Sequence, residues 1–344
     1  MLYVGLDLSR KRIDYDARLA DGALFERGAV PPVGDGLRGL VARLGDAPVV
    51  AVIESMNGAR FVHDRLELHG WDVRIADAVK AKGLAPLACK PDRIDAWVLA
   101  ELARRDLVPE IWLPDPAVRA ERERARFRLH LVRHRTALKN RVHAILIAHG
   151  IPNPTSDLFG VEGRRLLERL ELPEPWRSTT AASLALIDVL DEQIAECEQE
   201  LRALGADHPY IPLLMTVPGV GWVLAYTIAS EIGDIGRFQT PAKLVGYSGL
   251  TPSVDQSGAR DRRGPLRKNG PDHLRWAHVE AAHTASRHSL YKPIVERHRE
   301  RHGRKRGSKT AALTIARKLT HSIWHMLTTH QPFAPAGATP SLAA

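Results

Sequence analysis

Apolar and polar residues alternate in short runs through the first third of the chain. Leu2-Tyr3-Val4-Gly5-Leu6 is an apolar run, residues 13–19 alternate, and residues 24–30 form a third run between Asp21-Gly22 and Pro31-Pro32. Period-two patterning bounded by turn residues predicts strands, and three of them joined by tight turns predict an antiparallel meander. A helix is expected over residues 36–44, an apolar strand over 48–53, a helix over 59–69 stopped by Gly70, a strand over 71–76 and a longer helix over 92–105. From residue 116 the pattern changes. Leu129, Val132, Leu138, Val142, Ile145 and Leu146 recur near helical spacing in an Arg-rich stretch, and Leu184, Ile187, Leu190, Ile194 and Leu201 do so over residues 180–204. These two helices read either as a linker bundle or as a dimerisation arm.

Four segments follow from this pattern: 1–115, an α/β domain; 116–207, the helical or coiled-coil stretch; 208–330, a mainly α-helical C-terminal domain; and 331–344, rich in Pro and Ala and expected to be disordered. The order βββαβαβα in the first segment is that of ribonuclease-H-like folds. With 44% hydrophobic and 26% charged residues, the 344-residue chain has the composition of a soluble globular protein. Its formal net charge of +9 favours polyanionic partners. Residues 1–10 lack the basic and apolar regions of an export signal, and no apolar run approaches the ~20 residues of a membrane span. A cytoplasmic location with no membrane partner is therefore expected. Cys89 and Cys197 are the only cysteines, too few for a disulfide framework or a cysteine-rich zinc site.

Acidic residues stand at the ends of predicted elements. Asp7 follows the first apolar strand in Gly5-Leu6-Asp7-Leu8-Ser9, and Glu54 follows the fourth in Val52-Ile53-Glu54-Ser55. If those strands are neighbours, both acids emerge at one sheet edge. Asp92 and Asp95, three apart on a predicted helix, share a face. Converging carboxylates repel unless a cation sits among them, which points to Mg²⁺ or Mn²⁺ bound by oxygen ligands and to phosphoryl transfer. Taken singly, each acid is equally an ordinary surface group: Asp7 and Asp95 as caps, Glu54 as a partner of Arg60 or Lys80.

The segments GLDLSR, VIESMNG and KPDRIDAWVLA resemble the DEDD transposases of insertion sequences, the IS110 family, whose N-terminal domain is similar to the Holliday-junction resolvase RuvC. The resemblance spans most of the chain. It implies a DNA recombinase acting with a divalent metal, Mg²⁺ or Mn²⁺, on donor and target DNA, guided by a structured bridge RNA and assembled as a dimer or tetramer.

The second half carries further motifs. Thr216-Val217-Pro218-Gly219-Val220-Gly221-Trp222 before an apolar helix matches a helix-hairpin-helix pattern, whose Gly219 and Gly221 turn would offer backbone N–H groups to a phosphate; a tight turn between core helices is the alternative. FQTPAKLVGYSGLTPSVDQSG precedes Arg260, Arg262, Arg263, Arg267 and Lys268. Ser248 superficially suggests a hydrolase elbow, but Leu250 stands where that pattern requires glycine. The family resemblance implies instead that Ser257 is a nucleophile, with Ser253 a further competitor, and that the arginines neutralise the phosphate it attacks. A basic run from Arg297 through Arg304, Lys305, Arg306 and Lys309 reads as a cationic loop before a last helix and suits a nucleic-acid backbone. His321 and His325, four apart on that helix, read as part of a packed face rather than a zinc site. Alternatives are a resolvase-like nuclease that activates water, a sugar-kinase or actin-like ATPase disfavoured by Arg10-Lys11-Arg12 after Ser9, and a non-catalytic DNA-binding protein.

Overall fold

Leu2–Leu8 (β1), Ile13–Arg18 (β2) and Leu24–Val30 (β3) form the expected antiparallel meander, and Val49–Glu54 (β4) and Asp72–Ala76 (β5) extend it in parallel on the other side of β1. The strand order is β3-β2-β1-β4-β5, which makes β1 and β4 neighbours. This computed structural model describes residues 1–84, 92–257, 260–267 and 269–335. They form two units, Met1–Leu113 and Pro114–Ala344.

Alternation along the strands sorts side chains to two faces. Val4 and Leu6 of β1 and Ala51 and Ile53 of β4 pack with Leu37 and Leu40 of α1 (Gly34–Leu44) and Val62 and Leu66 of α2 (Ala59–Glu67). These helices have 11 and 9 residues, below the ~12–15 at which an isolated helix becomes even marginal. Burial of their apolar stripes holds them, at roughly 1.5–3 kcal/mol for each large side chain. On the opposite face Tyr3, Val50 and Val52 pack with Leu99, Leu102 and Ala103. The α/β class is as expected, and the layered mixed sheet is consistent with the ribonuclease-H-like order. One element is additional: two helices follow β5, a short α3 (Ala78–Leu84) and then α4 (Asp92–Arg104).

The second unit is mainly helical. α5 (Pro116–Ala148) is started by Asp115, whose side chain accepts from the Val118 N–H, with Pro116 in the first turn. After α6 (Val161–Arg169), α7 (Trp176–Gly205) returns along α5, and Arg124–Glu200 at 2.8 Å, Arg128–Glu198 and Arg135–Asp191 lace the two antiparallel helices. α8 (Ile211–Met215), α9 (Trp222–Ile232), α10 (Pro241–Tyr247), the ribbon of β6 (Pro252–Ser257) and β7 (Arg260–Leu266), then α11 (Asp272–Ala285), α12 (Lys292–His302) and α13 (Arg304–Thr329) complete the order. Every residue of α9 from Ala225 to Ile232 is buried. α5 grips its C-terminal end: the Arg122 guanidinium donates to the Ser230 carbonyl at 2.8 Å and the Glu231 carbonyl at 2.6 Å, satisfying acceptors that a helix end leaves over. Beside it Arg126 donates through Nε (2.7 Å) and Nη2 (2.9 Å) to the fully buried Glu231 carboxylate.

Two details differ from expectation. His321 and His325 are exposed, because the buried stripe of α13 runs instead through Leu319, Ile323, Met326 and Leu327. Phe333, within the stretch expected to be disordered, packs against the core and donates its N–H to Thr216 Oγ1 at 2.8 Å. Residues 336–344 and Cys89 lie outside the described residues. Among the described residues no helix is long and apolar enough to cross a membrane.

His278, fully buried on α11, donates from Nδ1 to the Leu274 carbonyl at 2.9 Å, and its Nε2 meets no partner among the described residues. Burial lowers its pKa from 6.5 to about 4. The folded state thus binds this proton less readily than the unfolded chain, so stability is fully present above pH 6.5 and lost as pH falls from there towards 4. Urea unfolding at pH 7 and pH 5 should show a decline that His278→Phe flattens.

Candidate active site

The site begins with a glycine. A Cβ on Gly5 would lie 1.8 Å from the Ala96 carbonyl oxygen and 2.5 Å from the Ala100 nitrogen, so only a residue without a side chain lets the backbone of α4 rest on β1. Asp7, two residues on, belongs to the same face. It lies inside β1, one position before the end of the strand, rather than beyond it as the apolar run predicted. Likewise Glu54 is the last residue of β4. The parallel register pairs Gly5 with Val52 and Leu6 with Ile53. One further step sets Asp7 beside Glu54, on the face that α4 covers.

The helix runs antiparallel to β1. Arg104, at its far end, donates to the Ala20 carbonyl at 3.3 Å, in the turn after β2, where Arg18 pairs with Tyr3 at the start of β1. The first turn of α4, with Asp92 and Asp95, therefore lies towards the end of the sheet where Asp7, one residue inside β1, and Glu54, the last of β4, are found. Asp95 is half-buried; the side chain of Asp92 lies outside the described residues. Among the described residues no three His, Cys, Asp or Glu side chains are gathered as a cation site.

Two acids escaped the sequence reading. Asp14 pairs directly across the strand from Asp7, and Asp16 across from Gly5, both on the α4 face. Asp14 accepts from Arg12 Nε at 2.7 Å. Asp16 is completely buried between Arg18 Nε at 2.6 Å and Arg27 Nη2 at 2.6 Å, the compensation a buried carboxylate requires. The signal was the strict alternation Ile13-Asp14-Tyr15-Asp16-Ala17, which looks like a solvated face until a helix covers it.

In the second unit, Gly219 (φ +85°) brings its backbone against α11: a Cβ there would lie 2.3 Å from the Ala281 carbonyl oxygen. Gly221, exposed, precedes α9 and provides no side-chain cap for its first-turn N–H groups. β6 and β7 pair with Ser257 opposite Arg260 at the closed end of the ribbon. Arg262 and Arg267 are exposed. The side chains of Ser257, Arg260 and Arg263, and Lys268 altogether, lie outside the described residues. Ser248 is fully buried and its hydroxyl donates back to the Leu244 carbonyl at 2.8 Å, so it is not presented to any substrate. Ser253 is half-buried. The basic run is helical rather than a loop: α12 and α13 are separated by Gly303 alone, and Arg304, Lys305 and Arg306 are exposed in the first turn of α13.

Residues 4–150 match the family model of the IS110-type DEDD transposases, described as a transposase, and residues 211–299 match that of the transposase IS116/IS110/IS902 family. Both models fall on the segments just described. The chain belongs to the DEDD-type transposases of the IS110 family. The transposase for insertion sequence element IS1328 of Yersinia enterocolitica is 28% identical over 68% of this chain and 70% of its own length. The transposase for insertion sequence element IS1111A of Coxiella burnetii is 26% identical over 58% of this chain and 56% of its own. A Sinorhizobium fredii protein assigned by name to the transposases is 30% identical over 57% of this chain. The chain spans about half the length of that protein, 48%.

Membership of a DEDD family implies a divalent metal ion. The donors at the transposase's sheet edge fit one: carboxylate oxygens are hard ligands, and the β1–β4 register, paired as far as Leu6 and Ile53, sends the next residue of each strand, Asp7 and Glu54, to the same face. Gly5→Ala should force α4 away from β1, costing about 1–3 kcal/mol in urea unfolding and abolishing DNA cleavage in protein that stays folded. Wild-type cleavage by the alanine variant would refute this account of the edge.

Proposed function

We propose that this transposase cuts and rejoins DNA by transesterification, with Ser257 as nucleophile and Asp7, Glu54, Asp92 and Asp95 as the ligands of Mg²⁺ or Mn²⁺. The observation that supports it best is that Asp7 and Glu54 follow the paired residues Leu6 and Ile53 on the face of the sheet where α4 rests on Gly5. Bound there, a divalent ion would offset the charge of the scissile phosphate and favour departure of the 3′-oxygen. The Ser257 hydroxyl loses its proton to a neighbouring base as its oxygen bonds to phosphorus and the bond to the 3′-oxygen breaks, leaving a phosphoserine. Attack by a 3′-hydroxyl of the exchanged strand reverses the step and reseals the DNA. Arg260, Arg262, Arg263, Arg267 and Lys268 neutralise the phosphate at the ribbon.

In this reading residues 1–115 are the catalytic domain, 116–207 the dimerisation arm and 208–330 the C-terminal transposase domain. Leu186 and Val189, three apart on α7 and each more than half exposed, are apolar positions suited to a second protomer of a dimer or tetramer. The Gly219-Val220-Gly221 turn acts as a helix-hairpin-helix phosphate contact through the N–H groups at the start of α9. Arg304, Lys305 and Arg306 crowd the positive end of α13, whose first turn holds no acid. Each cation there costs about 0.3–1 kcal/mol against the helix dipole, which a bound phosphate chain offsets. Donor DNA, target DNA and a structured guide RNA are the polyanions this basic surface serves.

The test mixes the protein with its element's flanking RNA and labelled DNA ends and looks for a protein–DNA adduct on a denaturing gel. Ser257→Ala should lose the adduct, and Asp7→Asn should lower strand cutting about a hundredfold or more, the several kcal/mol that metal catalysis supplies. Cutting by Ser257→Ala that leaves protein-free ends would favour the water-activating nuclease instead. Replacing Arg304, Lys305 and Arg306 together by Gln should flatten the slope of log affinity against log salt by about 2 to 3, close to 0.9 for each phosphate no longer neutralised.

A further inference from the structure

Beyond the Asp7–Glu54 pair the two strands lead into Leu8-Ser9-Arg10 and Ser55-Met56-Asn57-Gly58. The first segment is a tight turn closed by Ser9: its N–H donates to the Arg12 carbonyl at 2.9 Å, its hydroxyl to the same carbonyl at 2.8 Å, and it accepts from the Arg12 N–H at 3.2 Å. The turn leaves Arg10 and Lys11 exposed. Between the two segments and α2 lies a cavity of about 430 Å³, lined by Leu8, Arg10, Met56, Asn57, Phe61 and Val62 among others. Its volume is within the range of small-ligand sites, roughly 300–1,000 Å³.

Its chemistry is unusual for a surface position. Phe61 is 40% exposed and Met56 44% exposed, so two large apolar side chains face water at the mouth of a cationic turn. The Arg65 guanidinium lies over the Phe61 ring, 5.6 Å from its centroid, so a base would stack on the ring's other face. An exposed aromatic ring, a polarisable thioether, one side-chain amide and two cations together match the parts of a nucleotide: a flat apolar face, a hydrogen-bonding edge and a phosphate.

Position narrows the ligand further. Asp7 and Leu8 are consecutive on β1 and belong to opposite faces, about 3.3 Å apart along the strand. The carboxylates stand on the α4 face and the cavity opens on the α1–α2 face of the same edge. A polynucleotide strand crossing that edge, with one phosphate at Asp7 and Glu54, carries a neighbouring base to the cavity. A base held in a duplex stack is not available to it, so the base must be unpaired.

We infer that this cavity receives an unpaired DNA base adjacent to the phosphate engaged by the carboxylates, the base stacking on Phe61 and Met56, Asn57 reading its edge, and Arg10 and Lys11 holding its phosphate. The inference rests on the carboxylate edge as the site of strand cutting. It assigns to the N-terminal unit a contact with the DNA base itself.

The test uses the full-length protein and a 15-nucleotide oligodeoxythymidine with one internal 5-iododeoxyuridine, irradiated in Mg²⁺ buffer and mapped by peptide mass spectrometry. A cross-link on the peptide containing Met56 and Phe61 is expected. Phe61→Ala should reduce its yield at least about fivefold, the lower end of what one base–aromatic stack contributes, and Phe61→Trp should restore it. Cross-links confined to other segments, or an undiminished yield in Phe61→Ala, would overturn the assignment. Asp7→Asn separates the two readings. If it abolishes DNA cutting while no cross-link forms at Phe61 or Met56, the base site falls and the carboxylate edge stands; if the cross-link forms and Asp7→Asn still cuts, the carboxylate edge falls instead.

Discussion

The backbone of α4 rests directly on the backbone of β1 at Gly5, and the N-terminal unit is arranged around that contact. A layer of side chains normally separates a helix from a sheet; here the Ala96 carbonyl occupies the space where a Cβ would be. Because α4 runs against β1, the contact sends the helix start towards the end of the strand. The first turn of α4, with Asp92 and Asp95, thereby lies towards the end of the sheet where Asp7 stands one residue inside β1 and Glu54 closes β4. The apolar pairing of Val50 and Val52 with Leu99 and Leu102 then fixes the helix laterally.

The cost of this arrangement is electrostatic. Like charges about 5 Å apart repel by roughly 3 kcal/mol at an effective dielectric of 20, and neighbouring strands place their residues at about that spacing. Arginines meet part of this repulsion. Asp16, fully buried, is held between Arg18 and Arg27, and Asp14, level with Asp7 on the neighbouring strand, is held by Arg12. A carboxylate row on one face is thus neutralised by guanidinium and, in the proposed mechanism, by a divalent ion at Asp7 and Glu54.

The parts of this that could be read from the sequence were those in which one period dominates. The apolar runs of β1 and β4 were legible, as was the long repeat of α5, whereas Asp7 and Glu54, expected just past their strands, lie within them. α3 was not legible: Asp77 caps it, accepting from the Val79 and Lys80 N–H groups at 3.0 and 3.1 Å, but Ala-Val-Lys-Ala-Lys-Gly-Leu is too short and too polar to show an amphipathic stripe. Asp14 and Asp16 looked solvated because alternation reports which residues share a face, not whether a helix later covers it. The basic segment was expected to be a loop before the last helix, and it contains two glycines, Gly303 and Gly307. Only the first breaks the helix; the second is buried where α13 crosses α12, and a Cβ there would lie 2.5 Å from the Arg299 Cα. The position of Ser257 in the fold could not be read from spacing, since strand pairing in the ribbon is set by partners on both sides of a turn.

That ribbon is fastened at its base rather than along its length. The Arg267 N–H donates to the Thr251 carbonyl at 2.9 Å, and Arg317 from α13 donates to the Leu250 carbonyl at 2.7 Å. Reach and aim are consequently separable in evolution. Adding two residues to each strand would carry residue 257 about 7 Å further out on an unchanged side, whereas adding one to each would turn it to the reverse side. The length of the ribbon can therefore vary in even steps while the helical body beneath it stays as it is.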